Sequence, residues 1–371
     1  IQGAARISSP WSVEVEGRTL TTRNIIIAAG GRPIMPPIPG LDAAPAYTSD
    51  TLWGLREQPR RLLVLGGGPI GCELAQAFQR LGSQVIQMER GERLLPREDS
   101  DASELVSLAM RSEGVDLRLS HQAERFEQNA EGHVVIAKKM DTDELVSIGF
   151  DAVLVAVGRQ ANTKGYGVED LELKLRDNGT LDTNEFLATR FPNIYAVGDV
   201  TGPYQFTHAA AHQAWYAAVN ALFGGFKRFK VDYRVLPHVT FTEPEVARVG
   251  LSETEAREQD VEVEVTRYGI DDLDRAIADE AAEGYVKVLT VPGKDRILGV
   301  TIVGAHSGEL IAEYVLAMKH GLGLNKVLGT IHSYPTMSEA NKYAAGEWKR
   351  AHAPEKLLGW VQRWHRWRLK H

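Results

Sequence analysis

The chain has 371 residues, 43% of them hydrophobic and 25% charged, with a formal net charge of −7. That length is more than one hydrophobic core serves, so more than one domain is expected, and the composition is that of a folded globular protein. The acidic balance of the whole chain gives no reason to expect nucleic acid. A single cysteine, Cys72, excludes an internal disulfide and reads as a buried structural thiol. No apolar run is long enough to span a bilayer and no signal peptide is read, so the expected location is cytoplasmic.

Residues 1–42 read as β-rich. Val13 and Val15 alternate with polar residues, Gly17 turns the chain, and Ile25 to Ala29 form a buried strand ending at Gly30-Gly31. Pro33, Pro36, Pro37, Pro39 and Gly40 then make a stiff connection suited to a domain boundary.

Residues 43–160 read as a self-contained, doubly wound unit of strands and helices. The apolar run Arg61–Leu65 feeds into Gly66-Gly67-Gly68-Pro69-Ile70-Gly71, which fits G-x-G-x-x-G between a strand and a helix. In such a turn Gly66 permits the tight bend and Gly68, lacking Cβ, lets the backbone approach phosphates. Gly71 lets the helix pack close to the strand. The helix start, with Pro69 and Ile70, offers N–H groups and a positive dipole end to an anion. Val85 to Met88 is the next apolar run, and Glu89 ends it, where a ribose 2′-OH of a dinucleotide is read. Glu89 favours NAD and repels a 2′-phosphate; the adjacent Arg90, with Arg93, keeps NADP open. Ile70, Leu74, Ala77, Phe78 and Leu81 are expected on one apolar helix face. Glu73 is expected on the first helical turn. A second helix is expected from about Asp101 to Glu113, a strand over Val115 to Leu119, and a buried parallel strand from Asp151 to Val157 ending at Gly158.

Residues 161–233 follow another pattern: a turn at Asn178-Gly179, a short strand Ile194 to Val197 closing on Gly198-Asp199, and a helix from Thr207 to Phe223. His208 and His212 lie four apart on that helix, but no third ligand accompanies them, so no metal site is expected. Residues 234–350 read as an α+β domain, with hairpin strands Tyr285–Val291 and Ile297–Val303, a helix from Ser307 to His320, and a last helix starting near Met337. From Pro354 the tail is basic. Trp360, Trp364 and Trp367 fall among Arg363, Arg366, Arg368 and Lys370, an amphipathic helix expected to pack on its own domain, the alternative being an anionic membrane surface.

These motifs, in order, resemble the FAD-dependent pyridine nucleotide–disulfide oxidoreductases. Ile25 to Pro33, with Ala29 and Gly30, is similar to the family's crossing into its nicotinamide domain, and Gly66 to Glu73 to its G-G-G-x-I-G-x-E segment. Ala156-Val157-Gly158-Arg159 with Asn162-Thr163 is similar to the crossing back, with Ala161 where proline is usual. Tyr195 to Asp199 resembles the flavin-binding segment. Thr242 to Glu245 and Tyr334 to Glu339 resemble landmarks of the dimerisation domain.

The resemblance implies an α/β architecture of two Rossmann-like domains, an incomplete FAD domain (1–42 and 161–233) and an NAD(P) domain (43–160), followed by a dimerisation domain (234–350) and the Trp-rich tail (351–371). It implies hydride transfer from a nicotinamide to FAD and on to a disulfide, metal ion or other small acceptor, in a homodimer. Asp199 would meet the flavin's ribityl chain, and the helix start at Thr207 and His208 its pyrimidine carbonyl. Glu73 would help set the flavin's redox poise. Tyr334 would face the partner's flavin, with Glu339 in the place of the glutamate that orients the base. Two departures stand out. The first glycine fingerprint and the C-x-x-x-x-C pair of the family are not in this sequence, so a truncated chain, inactive by itself, is expected. Tyr334 stands where dithiol-handling members place a histidine, as in the mercuric-reductase-like branch. The rival readings are a disulfide-free transhydrogenase or diaphorase, and a non-catalytic nicotinamide-binding module.

Overall fold

The fold is described from a computed structural model for residues 1–130 and 132–369; Lys370 of the basic tail lies outside the described residues. The chain packs as two units, one made of Ile1–Arg90 with Arg118–Tyr233, the other of Gly91–Leu117 with the chain from Arg234 onward.

In the first unit, Ile25–Ile27 and Ile194–Ala196 pair in parallel, Ile25 opposite Ile194. Ile25 and Ile27 point into a core with Ile7, Leu181, Ile194 and Val200, as β alternation requires. Ile26 is 39% exposed, so the expected fully buried strand is instead a half-buried one, covered on one face. Ala5–Ser9, Ser12–Val15 and Arg18–Thr21 form an antiparallel ribbon. Helix Thr207–Phe223 buries Ala209, Gln213, Ala217 and Asn220.

A parallel sheet runs in the order Ala46–Thr48, Ala152–Val155, Arg61–Leu65, Gln84–Met88. Leu63 and Leu65 share a core with Val153 and Val155, and with Phe126, Val135, Ala137, Ile148 and Phe150 of an antiparallel meander. The meander's strands are His121–Asn129, Gly132–Lys139 and Leu145–Phe150. Phe126 meets Phe150 edge-on at 5.6 Å, a favoured aromatic geometry. The expected doubly wound unit is therefore corrected. A β-meander covers the sheet face carrying Leu63 and Leu65, and helix Pro69–Arg80 packs on the same strands through the alternate side chains. The buried face of that helix is Gly71, Cys72, Ala75 and Gln76. Of the expected apolar face, Ile70, Leu74 and Phe78 are half-buried, while Ala77 and Leu81 are exposed, Leu81 at 67%. Small residues take the inner face because the helix must lie close to its strand.

In the second unit, five antiparallel strands run in the order His238–Thr240, Glu245–Gly250, Ile297–Gly304, Tyr285–Thr290, Glu264–Gly269. Helices Ser307–Lys319 and Glu339–Ala351 complete a core of Val286, Val288, Val300, Ile302, Tyr314 and Trp348. Helix Ser100–Ser112 packs with this unit. At its N-terminal end lies an ionic cluster around a buried lysine. Lys287 Nζ, on a side chain only 2% exposed, meets Asp99 at 2.9 Å, Asp101 at 2.9 Å and Glu253 at 2.8 Å. Asp99 also accepts the backbone N–H groups of Glu253 and Thr254, which open a short helix. Burial raises the Asp99 carboxyl, but these donors outweigh it and hold the pKa at about 2. Beside it, Glu98 takes Arg248 at 2.8 Å and His238 at 3.1 Å. Burial opposes its ionised form, yet these partners bring its pKa below the usual carboxylate value.

The tail forms helix Glu355–Arg368, none of whose residues is buried. The expected packing of this helix on its own domain is not what the structure shows: its Trp and Leu side chains stay exposed.

Candidate functional site

Strand Arg61–Leu65, the glycine turn, helix Pro69–Arg80 and strand Gln84–Met88 form a continuous β-turn-α-β unit. Gly66 has φ +112°, and a Cβ there would come within 2.4 Å of the Ala156 carbonyl oxygen, so both the bend and the close approach require glycine. A Cβ on Gly71 would meet the Gly66 oxygen at 2.3 Å, which explains the tight seating of the helix. Gly68 differs. Its φ of −77° is open to any residue, and a Cβ there would meet nothing within 4 Å. It is the helix N-cap without a side-chain cap, with Pro69 at the first helical position and Ile70 following. The backbone at this point borders open space beside a helix N-terminus, a setting in which backbone donors and the helix dipole receive anions.

Glu89 follows the second strand, half-buried, and its Oε2 accepts the Gly67 N–H at 2.5 Å. The carboxylate is thereby held against the turn. Arg90 is exposed next to it. Glu73 is the fifth residue of a helix that begins at Pro69, so it lies past the first turn, a correction to the expected placement, and it is half-buried. Gln87 escaped the sequence reading. It is fully buried, and its Nε2 donates to the Gly66 carbonyl at 2.9 Å. One amide within the apolar run Val85–Met88 was the available signal. Cys72 is buried, its thiol 3.4 Å from the Gly67 oxygen.

A second group of residues gathers where two connections run side by side. Gly31–Pro33 pairs antiparallel with Arg159–Ala161. Asn162 donates its backbone N–H to Gly30 and its amide to Ala29, at 3.0 and 2.9 Å. Gly30 and Gly158 both have positive φ, +66° and +134°. Arg159, which the sequence shows only as one position of the crossing motif, organises this place. Its guanidinium donates to the Gly31 carbonyl at 3.0 Å and lies 3.1 Å from Asp50 and 3.6 Å from Asp199. Asp199 is half-buried in a short 3₁₀ turn, Gly198–Val200. Gly198, at φ +74°, donates its N–H to Gln213 at 2.6 Å, and Gln213 in turn donates to Tyr233 at 2.7 Å. Thr207 and His208 are exposed on the first turn of the 17-residue helix. His208 stacks on Phe206 at 5.2 Å and His212 meets Tyr216 at 4.4 Å, so both rings are engaged with aromatics.

In the second unit Tyr334 is 70% exposed, and its hydroxyl donates to Asp274 at 2.8 Å. That hydrogen bond, with the negative charge of Asp274, pushes the phenol above its ordinary pKa. Glu339 is buried. It accepts from the Thr336 backbone N–H and the Tyr343 hydroxyl, both at 3.4 Å. Asp274 holds the Tyr334 hydroxyl, and Glu339 holds the loop after it. His332 meets Glu313 at 3.0 Å. Among the described residues, no helix is long and apolar enough to cross a membrane.

A β-turn-α-β glycine turn with an acidic residue after the second strand, paired domain crossings and a separate antiparallel α+β unit define the class of dinucleotide-binding oxidoreductase folds. The comparisons are specific within it. The model of the pyridine nucleotide-disulphide oxidoreductase family matches residues 1–214, and that of the pyridine nucleotide-disulphide oxidoreductase dimerisation domain matches residues 236–345. The chain belongs to this family, whose members are flavin NAD(P)H oxidoreductases. It is 34% identical over 345 residues to a mercuric reductase of Staphylococcus aureus, covering 93% of this chain and 62% of that one. It is 36% identical over 348 residues to a dihydrolipoyl dehydrogenase of Thermus scotoductus, covering 93% and 74%. Its structure is similar to that of the HOCl-induced flavoprotein disulfide reductase RclA from Escherichia coli, with a TM-score of 0.84 and 30% identity over 93% of this chain and 78% of that one. The chain spans under two thirds of the length of the mercuric reductases it matches.

Proposed function

We propose that this chain forms the nicotinamide-binding and dimerisation parts, and a share of the FAD site, of a homodimeric NAD(P)H oxidoreductase with a small-molecule acceptor. The single observation carrying this reading is the glycine turn: Gly68 opens on free space while Glu89 is held at 2.5 Å from the Gly67 nitrogen. When bound, the nicotinamide and flavin supply hydride transfer. The protein's own residues bind and orient. Gly68 and the first turn at Pro69, Ile70 and Gly71 would admit a pyrophosphate to the backbone and face it with the positive end of the helix dipole. The Glu89 carboxylate would accept from adenosine ribose hydroxyls and repel a 2′-phosphate, which favours NAD, while exposed Arg90 is the residue through which NADP would be accommodated.

Asp199, set beside Arg159, would accept from a flavin hydroxyl, with Ala29, Gly30, Gly158 and Gly198 shaping the surrounding backbone. The helix beginning at Thr207 and His208 would place its dipole against negative charge on a reduced flavin. Glu73 belongs to the same proposal as a charged neighbour of the flavin. Tyr334 is a proton holder rather than a base: its hydroxyl donates to Asp274 and its pKa lies above the ordinary phenol value. A group of that kind suits a metal ion or other acceptor that needs no base at neutral pH. Exposed Ile331, Phe241 and Leu316 in the dimerisation region suit burial against a second copy.

In the natural protein carrying this chain, anaerobic addition of NADH is expected to bleach a flavin absorbance band. A protein without a flavin spectrum, or one that NADH leaves oxidised, contradicts the reading.

A further inference from the structure

Helix Glu355–Arg368 lies beyond the dimerisation-domain match, which ends at residue 345. Its large apolar side chains reach solvent: Leu357, Leu358, Trp360, Trp364 and Trp367 are between 41% and 60% exposed. At the helical repeat of about 100° per residue these five fall within one half of the helix circumference. Lys356, Arg363 and Arg366 occupy the other half. Arg368, on the last turn, falls within the apolar half, with its guanidinium 5.0 Å from the Trp364 ring centroid. Four basic residues against the single acidic Glu355 give this helix a charge of +3 on a chain of net −7.

We propose that this helix lies on an anionic lipid surface, its Trp and Leu half at the boundary of headgroups and acyl chains and its Lys and Arg half among the headgroups. Three features select lipid. Indole rings prefer the membrane interface, apolar on one side and a hydrogen-bond donor on the other. A basic flank alongside an aromatic-rich apolar half is the pattern of interfacial helices. Fourteen residues span only about 21 Å, short of a hydrocarbon core of about 30 Å, so the helix lies on the surface and does not cross it. The charge is complementary to anionic headgroups. Phosphatidylcholine, with no net charge, supplies only the apolar contribution.

The test is sedimentation of the full-length chain with vesicles of mixed phosphatidylglycerol and phosphatidylcholine, and with vesicles of phosphatidylcholine alone. The chain is expected to pellet with the anionic vesicles, to do so far less with phosphatidylcholine, and to be released as salt rises. Arg363→Gln and Arg366→Gln are each expected to lower partitioning about fivefold, and removal of residues 354–371 to abolish it. Because these side chains are exposed, the thermal midpoint of each variant should match the parent and separates lost binding from lost folding. Absence of pelleting, or equal pelleting with and without the tail, overturns the proposal. So does a tail deletion that dissociates an oligomer in light scattering while vesicle binding is absent, which would assign the helix to a second copy of the chain.

Discussion

Glu89 and Asp99 are both carboxylates held by backbone N–H groups, but in different ways. Glu89 is half-buried at the rim of a turn and takes the Gly67 N–H. Asp99 is 5% exposed and takes two backbone N–H groups and the Lys287 ammonium. The first sits beside backbone that borders open space; the second is enclosed within its unit. A carboxylate that serves a ligand stays near solvent and is fixed by a light tether. A carboxylate that serves the fold is surrounded until its charge is compensated, because an unpaired buried charge is costly.

That contrast can be broken from either side. The largest expected effect is Lys287→Met, which leaves Asp99, Asp101 and Glu253 without their shared ammonium and should cost about 3–5 kcal/mol of stability, read by urea unfolding. Gly66→Ala comes next. It places a Cβ at 2.4 Å from the Ala156 oxygen at positive φ, and should cost about 2–3 kcal/mol by the same measurement. Asp99 sharpens the comparison through pH. Its folded pKa, at about 2, lies below the ordinary 3.8, so its contribution is complete above pH 3.8 and is lost as pH falls toward 2. The loss should total about 2 kcal/mol, and Asp99→Asn should remove that part of the acid dependence from thermal melts. The smallest stability effect belongs to Gly68→Ala, within about 0.5–1 kcal/mol of the parent, since its Cβ enters open space at an unstrained φ. In that variant nucleotide binding should suffer while the melt does not.

The same contrast explains what was legible. Gly66, Gly68, Gly71 and Glu89 sit within one short stretch, and the local chemistry of a bend dictates their types. Helix Thr207–Phe223 was equally plain because its alanine-rich run favours a helix from local propensity alone. Lys287 and Asp101 are 186 residues apart in sequence, and nothing in either neighbourhood names the other. The meander of residues 121–150 was overlooked because its inward residues, Phe126, Val135, Ala137, Ile148 and Phe150, are diluted by charged ones facing outward. Gln87 and Arg159 were hidden for a related reason: their roles are hydrogen bonds to the Gly66 and Gly31 carbonyls, and a backbone acceptor leaves no mark in sequence. Tyr334 stood out by position, but its partner Asp274, 60 residues away, did not.

The central claim is that the glycine turn and Glu89 together receive the adenosine half of a nicotinamide dinucleotide. Calorimetric titration of NADH into the parent protein and into Glu89→Ala tests it most directly. A loss of about 1–2 kcal/mol in NADH affinity, with no comparable loss for NADPH, is the predicted result. Equal NADH affinity in the two proteins would contradict it.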